Sequence, residues 1–366
     1  MLYLHNKKNR PKMKVVGFCI LVLFCSCSYN KDKIVVQKGS ISPQMHIHDE
    51  TEEIFGLSYV AGPREITEAD MLPVKHTNAN YIAVIPFAIG TSGESHLRFV
   101  DNNQWWGETT VGVKKTIDLA REQGLKIMVK PQIWFRGGAY SGHFELHSEK
   151  EWINFETNYR AYVLKFAKIA AETKTEIFCV GTELETFIDR RPEFWKDLIV
   201  EIRLIYKGKL TYAANWDAYK NTWIWKDLDL IAVDAYFPLS NEKVVTKDSL
   251  AIGWEPWLIE MENVSKKYDK KVLFAECGYR SIEYAAKRPW ESDNINRTVH
   301  LDNQKTLYSS MFEEAWSKPW IIGGFIWKWF PEHKNSGGEQ HIGFTPQNKP
   351  AEHVLRHNYS KWQSVK

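Results

Sequence analysis

Cysteine is scarce in this chain: five occur among 366 residues, and three of those lie in the first 27. The other two, Cys179 and Cys277, each sit inside a short apolar run, where an unpaired cysteine behaves as a small hydrophobic residue. No cysteine spacing fits a disulfide framework or a zinc site. Clusters of His or Asp with metal-ligand spacing are also missing. We therefore expect no metal site and no cofactor.

A strong excess of charge of either sign is missing as well. The net charge is +3, so no concentrated basic face for nucleic acid is expected. The apolar share of 44% and the charged share of 25% are ordinary globular values, which excludes extensive disorder. A serine nucleophile elbow is also absent. Acyl transfer and metal-dependent hydrolysis are therefore disfavoured.

Long apolar runs are missing except for Val15–Phe24, which is too short to span a bilayer as a stable helix. Basic residues between Lys7 and Lys14 precede this run, and Cys25-Ser-Cys27-Ser follows it. The pattern resembles a bacterial lipoprotein signal, in which Cys27 is lipidated after cleavage. Cys25 is the alternative site, Met13 is an alternative start, and an uncleaved signal anchor is the alternative interpretation.

This pattern leads to a prediction of domain organisation and location. We expect a signal peptide over residues 1–27, a polar tether over 28–50 and one folded domain over 51–366. The protein is expected to be a membrane-anchored lipoprotein outside the cytoplasm, on the periplasmic or cell-surface face of a bacterial membrane. Its expected partners are a lipid anchor and an oligosaccharide or polysaccharide, with no nucleic acid.

Aromatic residues are abundant, at 14% of the chain with 16 tryptophans. Large apolar cores account for about half of such residues in our interpretation. The others suit the stacking of sugar rings, whose C–H faces pack on indole.

Eight short apolar runs alternate with amphipathic stretches, as expected for buried parallel strands with helical crossovers. This pattern predicts a single α/β domain, a (β/α)8 TIM barrel. An open doubly wound sheet is the alternative, but it requires a Gly-rich turn after the first strand, and Tyr59–Arg64 is not one. The predicted strands are Ile54–Val60, Tyr81–Phe87, Lys126–Ile133, Ile177–Gly181, Leu210–Ala214, Leu228–Asp234, Val272–Ala275 and Ile321–Trp327.

Polar and aromatic residues follow six of these strands, where active sites of barrels form. Two glutamates stand out, Glu183 after the fourth strand and Glu276 after the seventh. Buried carboxylates are costly unless they are paired, so two at strand ends indicate a catalytic use. The other candidate pocket residues at strand ends are Lys130, Gln132, Trp134, Asn215, Tyr236 and Trp327.

The segments Val180-Gly-Thr-Glu183-Leu-Glu and Phe274-Ala-Glu276-Cys-Gly-Tyr-Arg280-Ser resemble glycoside hydrolase family 113, over about residues 52–340. That family consists of clan A retaining β-mannanases and related enzymes. The resemblance implies that Glu183 is the general acid/base and Glu276 the nucleophile. It also implies that Tyr236 contacts the nucleophile, with Arg280 as a second candidate partner. Trp327 would be the platform under the sugar at the cleavage point.

One position departs from the clan. Thr182 stands where many clan A enzymes have an Asn that holds the sugar 2-hydroxyl, and Asn215 or Lys130 is the candidate replacement. Glu185 competes with Glu183 for the acid/base role.

The predicted reaction is double displacement on β-1,4-linked mannan or manno-oligosaccharides, which requires two carboxyls roughly 5–5.5 Å apart. The alternatives are a clan A glycosidase of another β-glycan specificity, a non-catalytic surface glycan-binding lipoprotein, and an aldolase-like lyase with Lys130 as the Schiff-base lysine.

Overall fold

The computed structural model describes residues 53–291 and 298–363. The predicted signal peptide, the tether and Cys27 lie outside the described residues. The described strands are β1 (Ile54–Val60), β2 (Tyr81–Ile85), β3 (Phe87–Gly90), β4 (Lys126–Val129), β5 (Gln132–Phe135), β6 (Ile177–Thr182), β7 (Lys209–Asn215), β8 (Ile231–Asp234), β9 (Val272–Cys277) and β10 (Ile321–Trp329).

Eight of these strands close into a parallel barrel in the spatial order β1-β10-β9-β8-β7-β6-β4-β2. The predicted (β/α)8 fold is therefore confirmed. The described α-helices are α1 (Glu68–Lys75), α2 (Thr110–Glu122), α3 (Glu149–Glu172), α4 (Glu185–Arg190), α5 (Pro192–Ile205), α6 (Lys247–Tyr268), α7 (Leu301–Ser310) and α8 (Pro350–Gln363). Among the described residues, no helix is long and apolar enough to cross a membrane.

Two predicted strands were too long, because each is interrupted at a proline. Tyr81–Phe87 breaks at Pro86, and Lys126–Ile133 breaks at Lys130-Pro131. Proline has no backbone N–H to donate to the ladder, so the regular pairing stops there. The chain then resumes in β3 and β5, which pair with each other as a parallel two-stranded sheet beyond the barrel. This small sheet extends one side of the barrel mouth.

Other predicted boundaries were also wrong. The helix predicted from Glu65 begins at Glu68, because Thr67 caps it and Asp70 completes a capping box. The predicted helix His300–Ser317 ends its α-helical part at Ser310 and continues as a π-helical turn. The short helix α4 was missed. Between β7 and β8 only 3₁₀ turns occur, including Trp223–Asp227, close to the short segment that the sequence allowed.

The core has two layers. Inside the barrel lie mainly small and branched side chains, such as Ala83, Ala213 and Ala275, together with Phe325. Between the strands and the helices lies a larger aromatic layer. Four tryptophans are fully buried: Trp195, Trp225, Trp254 and Trp329. Part of the tryptophan abundance is thus structural, and the filled barrel leaves the carboxyl ends of the strands as the place for a site.

Candidate active site

Glu276 lies in β9 and is surrounded by hydrogen-bond donors from three other strand ends. Gln132 Nε2 donates to Oε1 at 2.6 Å, and Tyr236 OH donates to Oε2 at 2.7 Å. The Lys130 ammonium also donates to Oε1 and forms an ion pair with it. All four side chains are buried. Three donors, one of them charged, satisfy both oxygens of a carboxylate.

The break in the third barrel strand explains part of this arrangement. Lys130 directly follows β4, and Gln132 begins β5 on the same side of the chain. Tyr162 of α3 holds this segment, because its hydroxyl donates to the backbone carbonyls of Pro86 and Gln132 at 2.8 Å each. The two donors to Glu276 are therefore presented by a clamped backbone.

Asp234, the last residue of β8, is the second carboxyl beside Lys130. Lys130 Nζ lies 3.7 Å from Asp234 Oδ1, and neither carboxyl oxygen of Asp234 has a hydrogen bond among the described residues. Burial raises the pKa of Asp234 well above its usual range, against the opposing effect of Lys130. Burial alone would lower the pKa of Lys130, but the charges of Asp234 and Glu276 outweigh it and raise that pKa. Lys130 is therefore a charged ammonium held between two carboxyls.

Glu183 follows β6 directly and lies in a different environment. Its backbone adopts a left-handed conformation with φ of 48°, which is uncommon for a residue other than glycine. Its N–H donates to the carbonyl of Ala213 on β7 at 2.8 Å, which ties this turn to the barrel. Within the described part of the chain, its carboxyl makes no hydrogen bond or ion pair. Burial first, and then the charges of Asp234 and Glu276, raise its pKa well above the usual range.

Glu185 begins α4 and bonds to the loop after β5. Tyr140 OH donates to Glu185 Oε1 at 3.0 Å, and burial raises the pKa of Glu185. Thr186 Oγ1 donates to the carbonyl of Gly142, which fastens the same loop. A Cβ on Gly142 would lie 2.0 Å from Glu185 Oε2, so only glycine permits this approach. Glu185 is thus committed to Tyr140, whereas Glu183 is free.

Trp327 lies near the end of β10, next to the donor cluster. Lys130 Nζ is 5.9 Å from the centre of its ring, and Lys328 Nζ is 5.4 Å from it. On the other side of Glu276, the ring of Tyr236 meets Phe344 edge to face at 5.9 Å. The cleft therefore has an indole on one side and a phenol on the other.

The remaining predicted site residues lie further out. Asn215 ends β7, and its Oδ1 accepts from the N–H of Trp216. Trp134 in β5 is 50% exposed and two residues beyond Gln132, so both side chains project from the same face of the strand. The Arg280 guanidinium donates to the carbonyls of Ile342 and Glu291. Among the described residues, no group of three or more His, Cys, Asp or Glu side chains is placed to hold a metal ion.

The structure therefore brings Lys130, Gln132, Tyr236 and Glu276 into direct contact, with Trp327 beside them. The sequence analysis assigned no role to Tyr140 or Lys328. Tyr140 lies in an irregular loop, and nothing in its sequence context distinguishes it. Lys328 was visible only as the residue between two tryptophans, Trp327 and Trp329.

The site combines a carboxylate with three donors and a second carboxyl whose environment favours the protonated form. One group suited to attack and one suited to donate a proton, at the mouth of an α/β barrel, define the class of acid/base glycosidases. Comparison with known sequences agrees: residues 61–349 match Glycoside Hydrolase Family 113, and the chain belongs to that family. It is accordingly a glycosyl hydrolase of the β-mannanase-like type.

Solved structures of the same family share the fold. The GH113 β-mannanase AaManA from Alicyclobacillus acidocaldarius, in complex with ManMIm, is 22% identical, with a TM-score of 0.74, and the match covers 86% of this chain and 99% of that one. A GH113 β-1,4-mannanase is 25% identical, with a TM-score of 0.73, covering 84% and 99%. A Faecalibacterium prausnitzii β-glucuronidase is 14% identical with a TM-score of 0.55, covering 85% and 49%, and shares only the fold. No curated protein matches the sequence.

Proposed function

We propose that the protein is a retaining glycoside hydrolase that cleaves β-1,4-mannosidic linkages by double displacement. Glu276 is the nucleophile and Glu183 the general acid/base. The observation that carries this proposal is the contrast between the two carboxyls. Glu276 receives donors from Lys130, Gln132 and Tyr236, while Glu183 has no partner and a raised pKa.

In the first step, a Glu276 oxygen forms a bond to the anomeric carbon while the glycosidic bond breaks. The leaving oxygen takes the proton of Glu183, which becomes a carboxylate. In the second step, Glu183 removes a proton from water as the water oxygen attacks the anomeric carbon. Glu276 is released as a carboxylate, and Glu183 is protonated again, so the enzyme returns to its starting state.

The neighbouring side chains have supporting roles in this proposal. Lys130, Gln132 and Tyr236 orient Glu276 and stabilise its charge between turnovers. Trp327 is the platform for the sugar at the cleavage point. Trp134 projects from the same face of β5 as Gln132 and is exposed, which suits stacking on a neighbouring sugar.

The sugar 2-hydroxyl requires a donor or acceptor other than position 182. Thr182 is buried, and its Oγ1 lies 4.0 Å from the thiol of Cys179. Lys130 already touches Glu276 and is closer to the reaction centre than Asn215, whose Oδ1 is bonded to the N–H of Trp216. We propose Lys130 as the residue that reaches the 2-hydroxyl.

The substrate proposal rests on family membership and on the printed activities of the similar proteins, which are β-mannanases. Another β-linked glycan is the alternative specificity. The lyase alternative requires a neutral Lys130 amine, whereas Lys130 is paired with two carboxyls that raise its pKa. The glycan-binding alternative does not account for a paired nucleophile beside an unpaired acid.

We further propose that the protein is anchored outside the cytoplasm through a lipid on Cys27. Labelling of cells with a fatty-acid analogue should give a labelled protein, and Cys27→Ala should lose the label. Label that remains on the Cys27→Ala variant would contradict this assignment.

The catalytic assignment is tested with three matched variants, Glu183→Gln, Glu276→Gln and Glu185→Gln. Hydrolysis of manno-oligosaccharides should fall by about 10²–10⁴-fold when the acid/base is removed, and at least as far in the nucleophile variant. Glu185→Gln should keep most activity, because that carboxyl is bonded to Tyr140. Calorimetry should show retained oligosaccharide binding in all three. Full activity of either of the first two variants would refute the assignment.

A further inference from the structure

Lys328 is a cation in the cleft without a partner. Its Nζ lies 5.4 Å from the ring centre of Trp327 and 5.2 Å from that of Phe330. Over the described ranges it makes no hydrogen bond and no ion pair. The side chain is partly buried, and burial lowers the pKa of its ammonium despite the nearby charge of Glu276. The proposed reaction gives this lysine no task.

Further basic groups surround the same side of the cleft. Lys349 is 3% exposed, and its Nζ donates to Ser281 Oγ at 2.9 Å and to the carbonyl of Gly343 at 2.8 Å, with no carboxylate partner among the described residues. His341 lies in the same loop, where burial and the charges of Lys349, Arg280 and Lys328 lower its pKa. The walls after β9 and β10 are therefore predominantly positive.

The opposite wall carries carboxyls instead. Glu183 and Glu185 follow β6, and the negative charge of Asp217, just after β7, contributes to the raised pKa of Glu185. The cleft is thus polarised, with acidic groups on the side of the leaving group and basic groups on the side of Trp327. Such an arrangement orients a ligand whose charge is on one sugar only.

A partly desolvated ammonium that lacks a partner is unfavourable, and a carboxylate from a ligand would satisfy it. Aromatic rings on two sides leave room for a planar, singly charged group. A phosphate ester requires more donors than one ammonium supplies. The anion that sugar chains carry on the ring itself is the carboxylate of a uronic acid.

We infer that the cleft accepts a β-linked glycan carrying a uronic acid on the sugar seated at Trp327, with Lys328 as the residue that binds its carboxylate. This inference rests on the proposed glycosidase function and specifies its substrate class further. Lys349 and His341 provide the positive surroundings, while the aromatic rings hold the Lys328 ammonium in place.

The test uses pairs of β-linked oligosaccharides that differ only in one residue, a hexose or its C6-oxidised uronic acid, placed at the cleavage point. The wild type should prefer the acidic member in kcat/KM. Lys328→Gln should lose about 10- to 100-fold on the acidic member, the size of one charge-assisted hydrogen bond, and less than about 3-fold on the neutral member. Lys334→Gln, on the exposed rim loop, is the matched control and should change neither rate.

Equal losses on both members, or a wild-type preference for the neutral one, would overturn the inference and leave the proposed function intact. If the wild type hydrolyses neither member, the proposed function fails instead. Calorimetric binding of both members to Glu276→Gln then still tests the inference. Tighter binding of the acidic member that is lost on adding Lys328→Gln supports it, and equal binding refutes it.

Discussion

Replacement of Lys130 by methionine perturbs the most buried charge of the site. The Lys130 ammonium is fully buried, donates to Glu276 and lies 3.7 Å from Asp234 Oδ1. Methionine has a similar volume, so packing changes little. The variant would leave Asp234 without a hydrogen bond and without a counter-ion among the described residues.

Breaking a buried ion pair by removing one partner costs about 3–5 kcal/mol of unfolding free energy. The cost depends on pH in a defined direction. The folded-state pKa of Asp234 is already raised by burial, and loss of Lys130, which lowers it, raises it further. Stability from a group with a raised pKa is fully present below its unfolded pKa, about 4, and is lost as pH rises through the folded value. The destabilisation should therefore be small near pH 4 and reach its full size at pH 8.

Urea unfolding at both pH values measures this effect. Lys130→Met with Asp234→Asn removes both charges and should recover at least about 1 kcal/mol relative to the sum of the single variants. Lys114→Met breaks an exposed pair with Glu172 and should cost about 0–1 kcal/mol at either pH. Additive single changes, or a Lys130→Met cost independent of pH, would refute the buried-pair reasoning.

Three further predictions concern activity. Tyr236→Phe removes the 2.7 Å hydrogen bond to Glu276 and should lower kcat/KM by about 10- to 100-fold with an unchanged melting temperature; an unchanged kcat/KM would contradict it. Glu185→Gln removes a negative charge that raises the pKa of Glu183, so the alkaline limb of the pH–rate profile should move to lower pH; an upward shift would contradict this. Trp134→Ala should raise KM for long oligosaccharides more than for short ones, because its indole is exposed beyond Gln132; equal effects would exclude stacking there.

The eight-strand barrel was predictable because buried parallel strands appear as short apolar runs, independent of their detailed partners. The interruptions at Pro86 and Pro131 were missed, since apolar residues continue on both sides of each proline. The consequence is local but important. The β3–β5 sheet, which carries Gln132 and Trp134, exists only because the strands restart after the break.

The strand-end glutamates were also predictable, but their different environments were not. A strand-end position indicates which residues face the mouth. It does not reveal that Lys130 would bridge Glu276 and Asp234, because those contacts join strands that are far apart in the sequence. Nor does it reveal that Tyr140, in an irregular loop, would bond to Glu185 and leave Glu183 free.

The central claim is that Glu276 forms a covalent bond to the sugar while Glu183 acts as the acid/base. Incubation with a 2-deoxy-2-fluoro-β-mannoside with a good leaving group slows the second step, so the glycosyl-enzyme should accumulate. Mass spectrometry should show one added sugar, and peptide mapping should place it on Glu276. A label on another residue, or turnover with no covalent intermediate and an inverted product, would contradict the account.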